Sequence, residues 1–365
     1  MHPAPTAEWA LRIEEVLDQL MAPKQRMRLK VGRYDLQLTS LDRPLWPNAT
    51  PPVTKRDLLR YLVQVAPYLL PHLETRPVFV TRYPGGVDGE SFYQKHWPDP
   101  PPFVRTVPVW SSSSDEAKAL LLVANLATLL WLGQQAALEL HVWFSRTGRS
   151  FDGHGLGVRW NESEAGLLRS RLNYPDFLVI DLDTYLYSGR ERAGEEPELH
   201  RAGFSLVRDV AFEVREVVET LGLTAFVKTS GRTGLHIYVP ILRRFTFEEV
   251  RAMAETIGRF LHQRDRSRVT LEWAVEARTG KVFFDYNQNV RGKSLAAAYS
   301  PRRHPDATVS TPVRWDELAN VYPTDFTVRT VPERVRLHGD PWADLLGAKA
   351  DLEAVLGPVA QAAAG

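Results

Sequence analysis

Two aspartates one residue apart, Asp181 and Asp183, close the apolar segment DFLVIDLD. Alternate residues of a β-strand project to the same face, so the two carboxylates lie side by side if this segment is a buried strand. Carboxylates this close repel each other unless a proton or a cation lies between them. Their hard oxygen atoms suit Mg²⁺ or Mn²⁺, and two such ions can clamp the attacking and leaving oxygens of a phosphoryl transfer. Taken alone, the pair is also compatible with an ordinary strand end.

A second candidate is the glycine-containing segment KTSGRTGLH, residues 228–236. Gly231 and Gly234 permit a tight turn with close backbone approach. Consecutive backbone N–H groups, together with the Ser230 hydroxyl, form a nest suited to phosphate. His236 begins the following strand and faces the turn. The spacing matches neither the P-loop nor the Rossmann pattern, and a plain hairpin turn is the alternative that this segment alone leaves open.

The segment ARTGKVFFDYNQNVRGKSLAAAYSPRR supplies a third carboxylate and several cations. Asp285 is predicted in mid-strand among aromatic residues, where a lone acid is costly unless it is paired or binds a ligand. Side chains that could meet a triphosphate are Arg278, Gln288, Lys293 and Arg302. In LELHVWFS, His141 lies between apolar neighbours. There it is either a core histidine whose ring nitrogens find hydrogen-bond partners within the protein, or a hydrogen-bond donor to phosphate.

Composition excludes several classes of protein. The chain has 365 residues, 44% of them hydrophobic, and no cysteine, which excludes disulfides, thiolate zinc sites and a cysteine nucleophile. The N-terminus lacks the apolar core of a signal peptide, and the most apolar stretch, 119–132, is too short to span a bilayer. We therefore expect a cytoplasmic protein with no membrane contact, and a buried helix at this stretch.

Charge is balanced overall but uneven along the chain. The formal net charge is +1, yet residues 23–60 carry nine Lys or Arg against three Asp, and residues 278–304 carry six against one. Basic segments in a neutral protein favour a local surface for a polyanion. For 23–60 alone, a merely solvated face is an equal alternative.

The elements that must position these residues mix strands and helices without a strict βαβ rhythm, which predicts an α+β fold with antiparallel pairs. Helices are predicted at 7–22, from Thr54 with breaks at Pro67 and Pro71, at 115–138, at Phe204–Leu221 and at Thr246–Arg264. Strands are predicted at Tyr34–Leu38, 76–82, 138–145, 176–183, 281–289 and on both sides of the glycine turn. We expect an N-terminal helical extension over 1–30, a catalytic domain over 31–345 and a C-terminal helix or tail over 346–365.

The order of the segments resembles the polymerase domain of bacterial ligase D, a primase-like domain of the archaeo-eukaryotic primase superfamily. Eight blocks in order, between about Gly32 and Trp342, carry the resemblance: LTSLDRPLWP, TKRDLLRYL, TRYPGGVDGESFYQKHWP, LELHVW, DFLVIDLD, KTSGRTGLHIYVP, FFDYNQNVRGKSLAAAYSPR and HGDPW. The resemblance implies an archaeo-eukaryotic primase-like fold, in which mixed, largely antiparallel sheets are flanked by helices.

The resemblance also assigns roles to positions of this sequence. The catalytic, metal-binding carboxylates would be Asp181, Asp183 and Asp285. The incoming nucleotide would be bound by Arg82, His141, Ser230, Gly231, His236, Arg278, Gln288 and Arg302. On the DNA side, Arg43 and Lys55 would hold the 5′-phosphate of the downstream strand, Phe92 and Tyr93 would stack on the template, and Lys95 would make a further contact. Stacking of this kind contributes roughly 1–3 kcal/mol per base.

The implied enzyme is a DNA-end-processing nucleotidyltransferase of non-homologous end joining, associated with the nucleoid. It would add nucleoside monophosphates, ribonucleotides preferentially, from NTP or dNTP to a 3′-hydroxyl at a break or gap with a downstream 5′-phosphate. Two Mn²⁺ or Mg²⁺ ions would assist. The sequence contains no Lys-x-Asp-Gly adenylation element. We therefore expect a stand-alone polymerase module that works with a separate DNA ligase and Ku.

Three alternatives are weighed against this enzyme. A primase or mobile-element replication polymerase of the same superfamily has no downstream phosphate to recognise. A non-catalytic DNA-end-binding scaffold predicts a broken carboxylate triad, and a metal-dependent nuclease needs no triphosphate site. Two departures from the family pattern concern phosphate contacts: Thr233 replaces a frequent Lys, beside Arg232, and Ser40 replaces a common Asn.

Overall fold

The structure is a computed structural model that describes residues 7–149, 152 and 156–353. The helices are α1 (Ala7–Leu20), α2 (Lys55–Leu73), α3 (Leu126–Gln134), α4 (Glu164–Leu168), α5 (Arg201–Thr220), α6 (Phe247–Arg264), α7 (Val275–Arg278) and α8 (Val331–His338). The strands are β1 (Met27–Val31), β2 (Tyr34–Leu38), β3 (Pro44–Trp46), β4 (Val53–Thr54), β5 (Pro77–Arg82), β6 (Phe92–Gln94), β7 (Arg105–Ser111), β8 (Glu116–Leu122), β9 (Ala137–Trp143), β10 (Phe177–Thr184), β11 (Phe226–Thr229), β12 (Leu235–Pro240), β13 (Val269–Thr270), β14 (Val282–Asp285), β15 (Ser294–Ala296), β16 (Ser300–Pro301), β17 (Val309–Ser310) and β18 (Pro312–Val313).

Two larger sheets organise the molecule. The first has the strand order β13-β14-β10-β12-β11-β18, and β10 runs antiparallel to both of its neighbours. The second has the order β15-β9-β5-β8-β7, with β6 also paired to β5. Within the first sheet, β13 and β14 form a parallel pair, while the pairs of the second sheet are antiparallel. The arrangement is the largely antiparallel α+β architecture that the sequence predicts.

The central strand β10 is buried because helices cover its sheet. Every residue from Phe177 to Leu182 is buried, as expected for a continuous apolar run in mid-sheet. Helix α5 lies against β10 and presents Val207, Val210 and Val214, spaced to form one apolar stripe. The strand is therefore held rigidly up to the point where its acidic end begins.

The predicted helix over 115–138 is wrong in its first half. Residues Glu116–Leu122 form β8, which pairs with β7 in a hairpin, and α3 begins only at Leu126. The Asn125 side chain caps α3 by accepting a 2.9 Å hydrogen bond from the backbone N–H of Thr128. An N-cap residue has non-helical backbone angles, so Asn125 separates the strand from the helix.

The predicted breaks at Pro67 and Pro71 are also wrong, because α2 continues through both prolines. A proline inside a helix costs roughly 3 kcal/mol or more. Burial offsets that cost here, since Leu69 and Leu73 are fully enclosed and each buried leucine contributes about 1.5–3 kcal/mol. Packing of the apolar face therefore overrides the local preference.

The N-terminal segment shares the main core. Helix α1 packs on α2 and β1 and buries Val16 and Leu20. Arg56 of α2 donates 2.8 Å hydrogen bonds to the carbonyl groups of Leu20, Ala22 and Lys24. The domain boundaries near residues 30 and 346 stay predictions, and residues 354–365 of the predicted tail lie outside the described residues. No helix in the described ranges is long and apolar enough to cross a membrane.

Candidate active site

The three predicted carboxylates converge on neighbouring strands of the first sheet. Asp181 on β10 stands opposite Asp285 on β14 and opposite His236 on β12. Asp183 lies two residues further along β10 and shares the face of Asp181. Asp285 ends its strand rather than lying in mid-strand as predicted, because its carboxylate accepts a 2.8 Å hydrogen bond from the N–H of Asn287 and caps a 3₁₀ turn.

All three carboxylates have raised pKa values. Burial, followed by the charges of Asp183 and Asp285, holds the pKa of Asp181 well above its usual value. Burial and the neighbouring acids, Glu196 first, raise the pKa of Asp183 to about 6, and burial raises that of Asp285. The Gln288 amide donates hydrogen bonds of 3.2 Å to Asp181 and 2.9 Å to Asp285. One amide only partly offsets the three negative charges.

The donor set fits a divalent cation, although the cage is not closed. Among the described residues no three His, Cys, Asp or Glu side chains converge tightly enough to enclose an ion. However, Oδ1 of Asp181 is buried and accepts no hydrogen bond from the described part of the chain, although Nε2 of His236 lies 3.3 Å away. A buried carboxylate oxygen without a hydrogen bond is unfavourable, and carboxylates are the ligands that Mg²⁺ and Mn²⁺ prefer.

The Ser-Gly turn between β11 and β12 lies beside the carboxylates. The Ser230 hydroxyl oxygen accepts 3.1 Å hydrogen bonds from the backbone N–H groups of Arg232 and Gly234. The Ser230 N–H donates to the carbonyl of Gly234 at 3.0 Å, and Thr308 donates to the carbonyl of Gly231. These bonds fix the turn, as a preorganised phosphate-binding loop requires.

Both glycines of this turn are required by close contacts. Gly231 has φ +74°, and a Cβ there would lie 2.5 Å from Cγ of Arg302. A Cβ on Gly234 would lie 2.3 Å from the carbonyl oxygen of Leu182 and 2.7 Å from Oδ1 of Asp183. The turn therefore packs directly on the acidic end of β10 and brings Arg302 to the same place.

Glu139 on β9 is a buried acid that the sequence reasoning missed. Its carboxylate lies 3.1 Å from Nε of Arg302 and accepts hydrogen bonds from Tyr83 (3.1 Å) and from the backbone N–H of Arg303 (3.0 Å). Burial opposes ionisation, but Arg302 and then His141 hold the pKa of Glu139 below its ordinary range. The available signal was its position two residues before His141, on the same strand face.

Lys228 is a second missed residue, at the start of the glycine segment. Its Nζ lies 2.6 Å from Nδ1 of His236, whose Nε2 lies 3.3 Å from Oδ1 of Asp181. Lys228 is wholly enclosed, and burial, followed by the charge of Arg302, lowers its pKa well below the usual value. Burial and then Lys228 lower the pKa of His236 likewise. Lys228 and the His236 ring thus form a continuous line of contacts that ends at Asp181.

Arg278, predicted to bind nucleotide, lies in an aromatic cluster beside the site. Its guanidinium donates to the Tyr185 hydroxyl at 2.7 Å and to the carbonyl groups of Glu272 (3.0 Å) and Trp273. The guanidinium carbon lies 3.7 Å from the ring centre of Phe283, which pairs with Asp183 across the strands. Contact of Arg278 with a nucleotide stays a prediction.

Arg82, also predicted to bind nucleotide, lies on the side of β6. Its Nε donates to the carbonyl of Gln135 at 3.1 Å, and Nη1 donates to the Gln94 side chain at 3.2 Å. The guanidinium carbon stacks 4.8 Å from the ring centre of Trp97. The structure therefore places Arg82 among the predicted DNA-side residues, and its nucleotide contact stays a prediction.

The two predicted template-stacking residues are exposed aromatic residues of β6 that project to opposite faces of the strand. Phe92 and Tyr93 are 46% and 52% exposed, which is unusual for large apolar side chains and leaves their rings open to a partner. The Tyr93 ring meets His141 edge-on with 5.6 Å between ring centres. Tyr93 therefore adjoins the predicted nucleotide site. The Lys95 ammonium lies 6.0 Å from the centre of the Tyr93 ring.

The two residues predicted to bind a 5′-phosphate lie together at the N-terminus of α2. The Lys55 ammonium donates to the carbonyl groups of Thr39 (3.2 Å) and Gln134 (3.1 Å). Burial, followed by the charge of Arg43, lowers the pKa of Lys55. The Arg43 side chain is exposed and donates to the carbonyl of Pro84 at 2.7 Å. Lys55 is buried, so an anion would reach the two adjacent cations from the side of the exposed Arg43.

Comparisons with known proteins point in one direction. The family described as "LigD, primase-polymerase domain" matches residues 54–342. The bifunctional non-homologous end joining protein LigD of Bacillus subtilis is 32% identical over 85% of this chain, and the multifunctional LigD of Pseudomonas aeruginosa is 32% identical over 83%. The chain spans only 44% and 32% of those two relatives.

A solved structure extends the similarity to the fold. The polymerase domain of Mycobacterium tuberculosis ligase D in complex with DNA superposes with a TM-score of 0.72 at 28% identity. The match covers 86% of this chain and 99% of that chain. The predicted archaeo-eukaryotic primase-like fold is thereby confirmed.

Proposed function

Because the chain belongs to the LigD primase-polymerase domain family, we propose that it extends DNA 3′-hydroxyl ends during non-homologous end joining. The family is one of nucleotidyltransferases, so the predicted family and enzyme class are confirmed. The observation that carries the proposal is the meeting of Asp181, Asp183 and Asp285 with the Ser-Gly turn and Arg302. The transfer requires that the triphosphate lie close to the acids that activate the attacking 3′-hydroxyl.

The residues divide the chemistry between them. Asp181, Asp183 and Asp285 would hold one or two divalent ions, which lower the pKa of a bound 3′-hydroxyl and stabilise the leaving pyrophosphate. The other two backbone N–H groups of the Ser230 turn, those of Gly231 and Thr233, and the guanidinium of Arg302 would bind the triphosphate. Since Glu139 fixes Arg302, the cation is oriented before the substrate arrives.

The DNA side gives the proposal its repair character. Phe92 and Tyr93 would stack on template bases, and Arg43 with Lys55 would bind the 5′-phosphate of the downstream strand. A phosphate pocket favours gap filling over priming, because a primase has no downstream phosphate to bind. The relative from M. tuberculosis was solved with DNA, which supports DNA as the partner. We include in the proposal Mn²⁺ or Mg²⁺ as cofactor, a preference for ribonucleotides, and Ku and a DNA ligase as partners.

The test is single-nucleotide extension of a gapped duplex with and without a downstream 5′-phosphate, in Mn²⁺ with either rNTP or dNTP. We expect extension that is stronger with the phosphate and with rNTP. The Asp183→Ala variant should be inactive, and the exposed Asp209→Ala variant on α5 should match wild type. Tight phosphate-dependent binding without extension would replace this proposal with the scaffold alternative.

A further inference from the structure

A cleft on the outer face of the second sheet has the features of a nucleotide site. We propose that it binds an unpaired nucleotide of the DNA template strand, a role that rests on the proposed polymerase function. The cleft has a volume of about 480 Å³ and lies between the β7–β8 hairpin, the Lys95–His96 segment and the turn at 291–293. This volume falls in the range of small-ligand sites.

The floor of the cleft is apolar except for one unpartnered donor. Phe79, Val109, Leu120 and Trp143 project into it from four strands of the sheet. Trp143 is 5% exposed, and its buried indole Nε1–H has no hydrogen-bond acceptor among the described residues. Buried indole N–H groups normally find a partner, and an unmade hydrogen bond costs about 1–3 kcal/mol.

The Trp143 indole lies beneath the rim of the cleft at Gly292, and its Nε1 atom is buried. A Cβ placed on Gly292, at the rim, would lie 3.9 Å from Cζ2 of Trp143, which is next to the ring carbon that carries Nε1. The Trp143 and Phe79 rings meet edge-on, with 5.9 Å between ring centres. A base that enters the cleft therefore meets an aromatic wall formed by Trp143 and Phe79.

The rim is basic, which suits the phosphate groups of a strand. Lys95, Lys118, Arg291 and Lys293 all line the opening. Arg291 is anchored by ion pairing with Glu164, so it holds the rim in place. Lys95 and Lys293 have no ion pair within the described part of the chain and lie over aromatic rings. Basic grooves lined with aromatic rings are typical of single-stranded nucleic acid sites.

Tyr93 connects this cleft to the catalytic site, which favours a strand over a free mononucleotide as occupant. Its ring meets Phe79 of the cleft floor edge-on at 6.0 Å and His141 of the catalytic site at 5.6 Å. Its hydroxyl lies 3.2 Å from Oγ of Ser294. A template strand stacked on Tyr93 would therefore reach the cleft with its next unpaired base.

The experiment compares duplexes whose 5′ template overhang has one or three nucleotides, with 2-aminopurine at the second position of the three-nucleotide overhang. We expect the wild type to bind the longer overhang about tenfold more tightly and to quench the 2-aminopurine fluorescence, because stacking on aromatic side chains contributes roughly 1–3 kcal/mol per base. Trp143→Phe keeps an aromatic side chain but replaces the indole by a smaller ring, and should reduce this advantage about fivefold. Lys118→Glu should abolish it, whereas Arg266→Glu, an exposed charge reversal beside β13, should preserve it.

Binding and extension on the one-nucleotide overhang show whether each variant is folded and separate the two proposals. Normal extension with equal wild-type affinity for both overhangs would overturn the cleft proposal and leave the polymerase proposal standing. An undiminished advantage in Lys118→Glu would overturn it even if Trp143→Phe did not fold. Reversal of quenching by free dAMP would assign a mononucleotide site and would also overturn the strand proposal. Absence of both binding and extension would contradict both proposals.

Discussion

The two ends of strand β10 carry acids in opposite surroundings. Before its first residue, Asp176 is fully buried and accepts hydrogen bonds from Arg146 at 2.9 Å. The same carboxylate pairs with Arg76 at 2.7 Å and with Lys349. At the other end, the nearest charged neighbours of Asp181 include two further acids.

The pKa directions record this difference. Burial alone would raise the pKa of Asp176, but Arg76 and Lys349 hold it below the usual range. Burial and neighbouring acids instead raise the pKa of Asp181. An acid surrounded by cations stabilises the fold, whereas acids crowded together cost stability and are retained for what they bind. One strand thus separates a structural charge cluster from a functional one.

The largest expected effect is on catalysis, at the crowded end. Asp183→Asn should lower extension by at least about 10³-fold, because it removes a ligand of the metal that stabilises the leaving group. In EDTA the melting temperature should stay equal or rise, since one buried repulsion is lost. Single-turnover extension and thermal unfolding measure the two effects, with Asp209→Asn as the matched surface control. Extension by Asp183→Asn within a few fold of wild type would contradict the assignment of this end of β10 as the functional one.

The second effect is on stability, at the paired end. Asp176→Asn should lower the free energy of unfolding by about 3–5 kcal/mol, because Arg76, Arg146 and Lys349 then lose their counter-charge. Extension per folded molecule should change little. Urea unfolding at pH 7 measures the loss. A loss below 1 kcal/mol would mean that the cluster does not support the fold.

A third prediction concerns Arg302, which contacts Glu139 of the second sheet and the Ser-Gly turn of the first. Glu139→Gln keeps the shape of the side chain but removes the charge that orients Arg302, so the KM for NTP should rise roughly tenfold with kcat little changed. Steady-state kinetics over a range of NTP concentrations separate the two constants, with the exposed Glu248→Gln as control. An unchanged KM would show that Arg302 needs no orientation by Glu139.

Lys55→Met should reduce the preference for a 5′-phosphorylated gap about tenfold, because one charge-assisted contact is lost. Binding to the same gap without the phosphate should change much less, and this substrate serves as the internal control. Competition between the two gapped duplexes measures the preference directly. An unchanged ratio would remove Lys55 from the phosphate pocket.

The smallest expected effect is a pH dependence at the paired end. The folded-state pKa of Asp176 is depressed, so its contribution to stability is present above the unfolded pKa of about 3.9 and is lost as the pH falls toward the folded value. The difference in unfolding free energy between wild type and Asp176→Asn should therefore be constant from pH 7 to 5 and should narrow below pH 4. A difference that widens in acid would contradict the assignment.

Sequence reasoning succeeded where the chemistry was local. The two-residue period placed Asp181 and Asp183 on one strand face, and the glycines of the turn predicted its tight geometry. It failed for Glu139 and Lys228, because a buried charge is explained only by its partners. Arg302, the partner of Glu139, is 163 positions away in sequence, within the basic segment 278–304.

Helix and strand were confused where packing overrides local preference. The leucine-rich run that forms β8 has helical propensity, but its pairing with β7 decides its conformation. Pro67 and Pro71 predict breaks that the buried face of α2 overcomes. A local pattern contains none of the contacts with elements distant in sequence, such as those of α2 with α3 and α8 and the pairing of β8 with β5.

The most direct test of the central claim is a Mn²⁺ titration followed by electron paramagnetic resonance, on the wild type and Asp285→Asn without DNA or nucleotide. The account predicts that the wild type binds Mn²⁺ and that Asp285→Asn binds at least about tenfold more weakly, because a ligand is lost while the fold remains. Equal Mn²⁺ binding by the two proteins would contradict the assignment of the acidic end of β10 as the metal site.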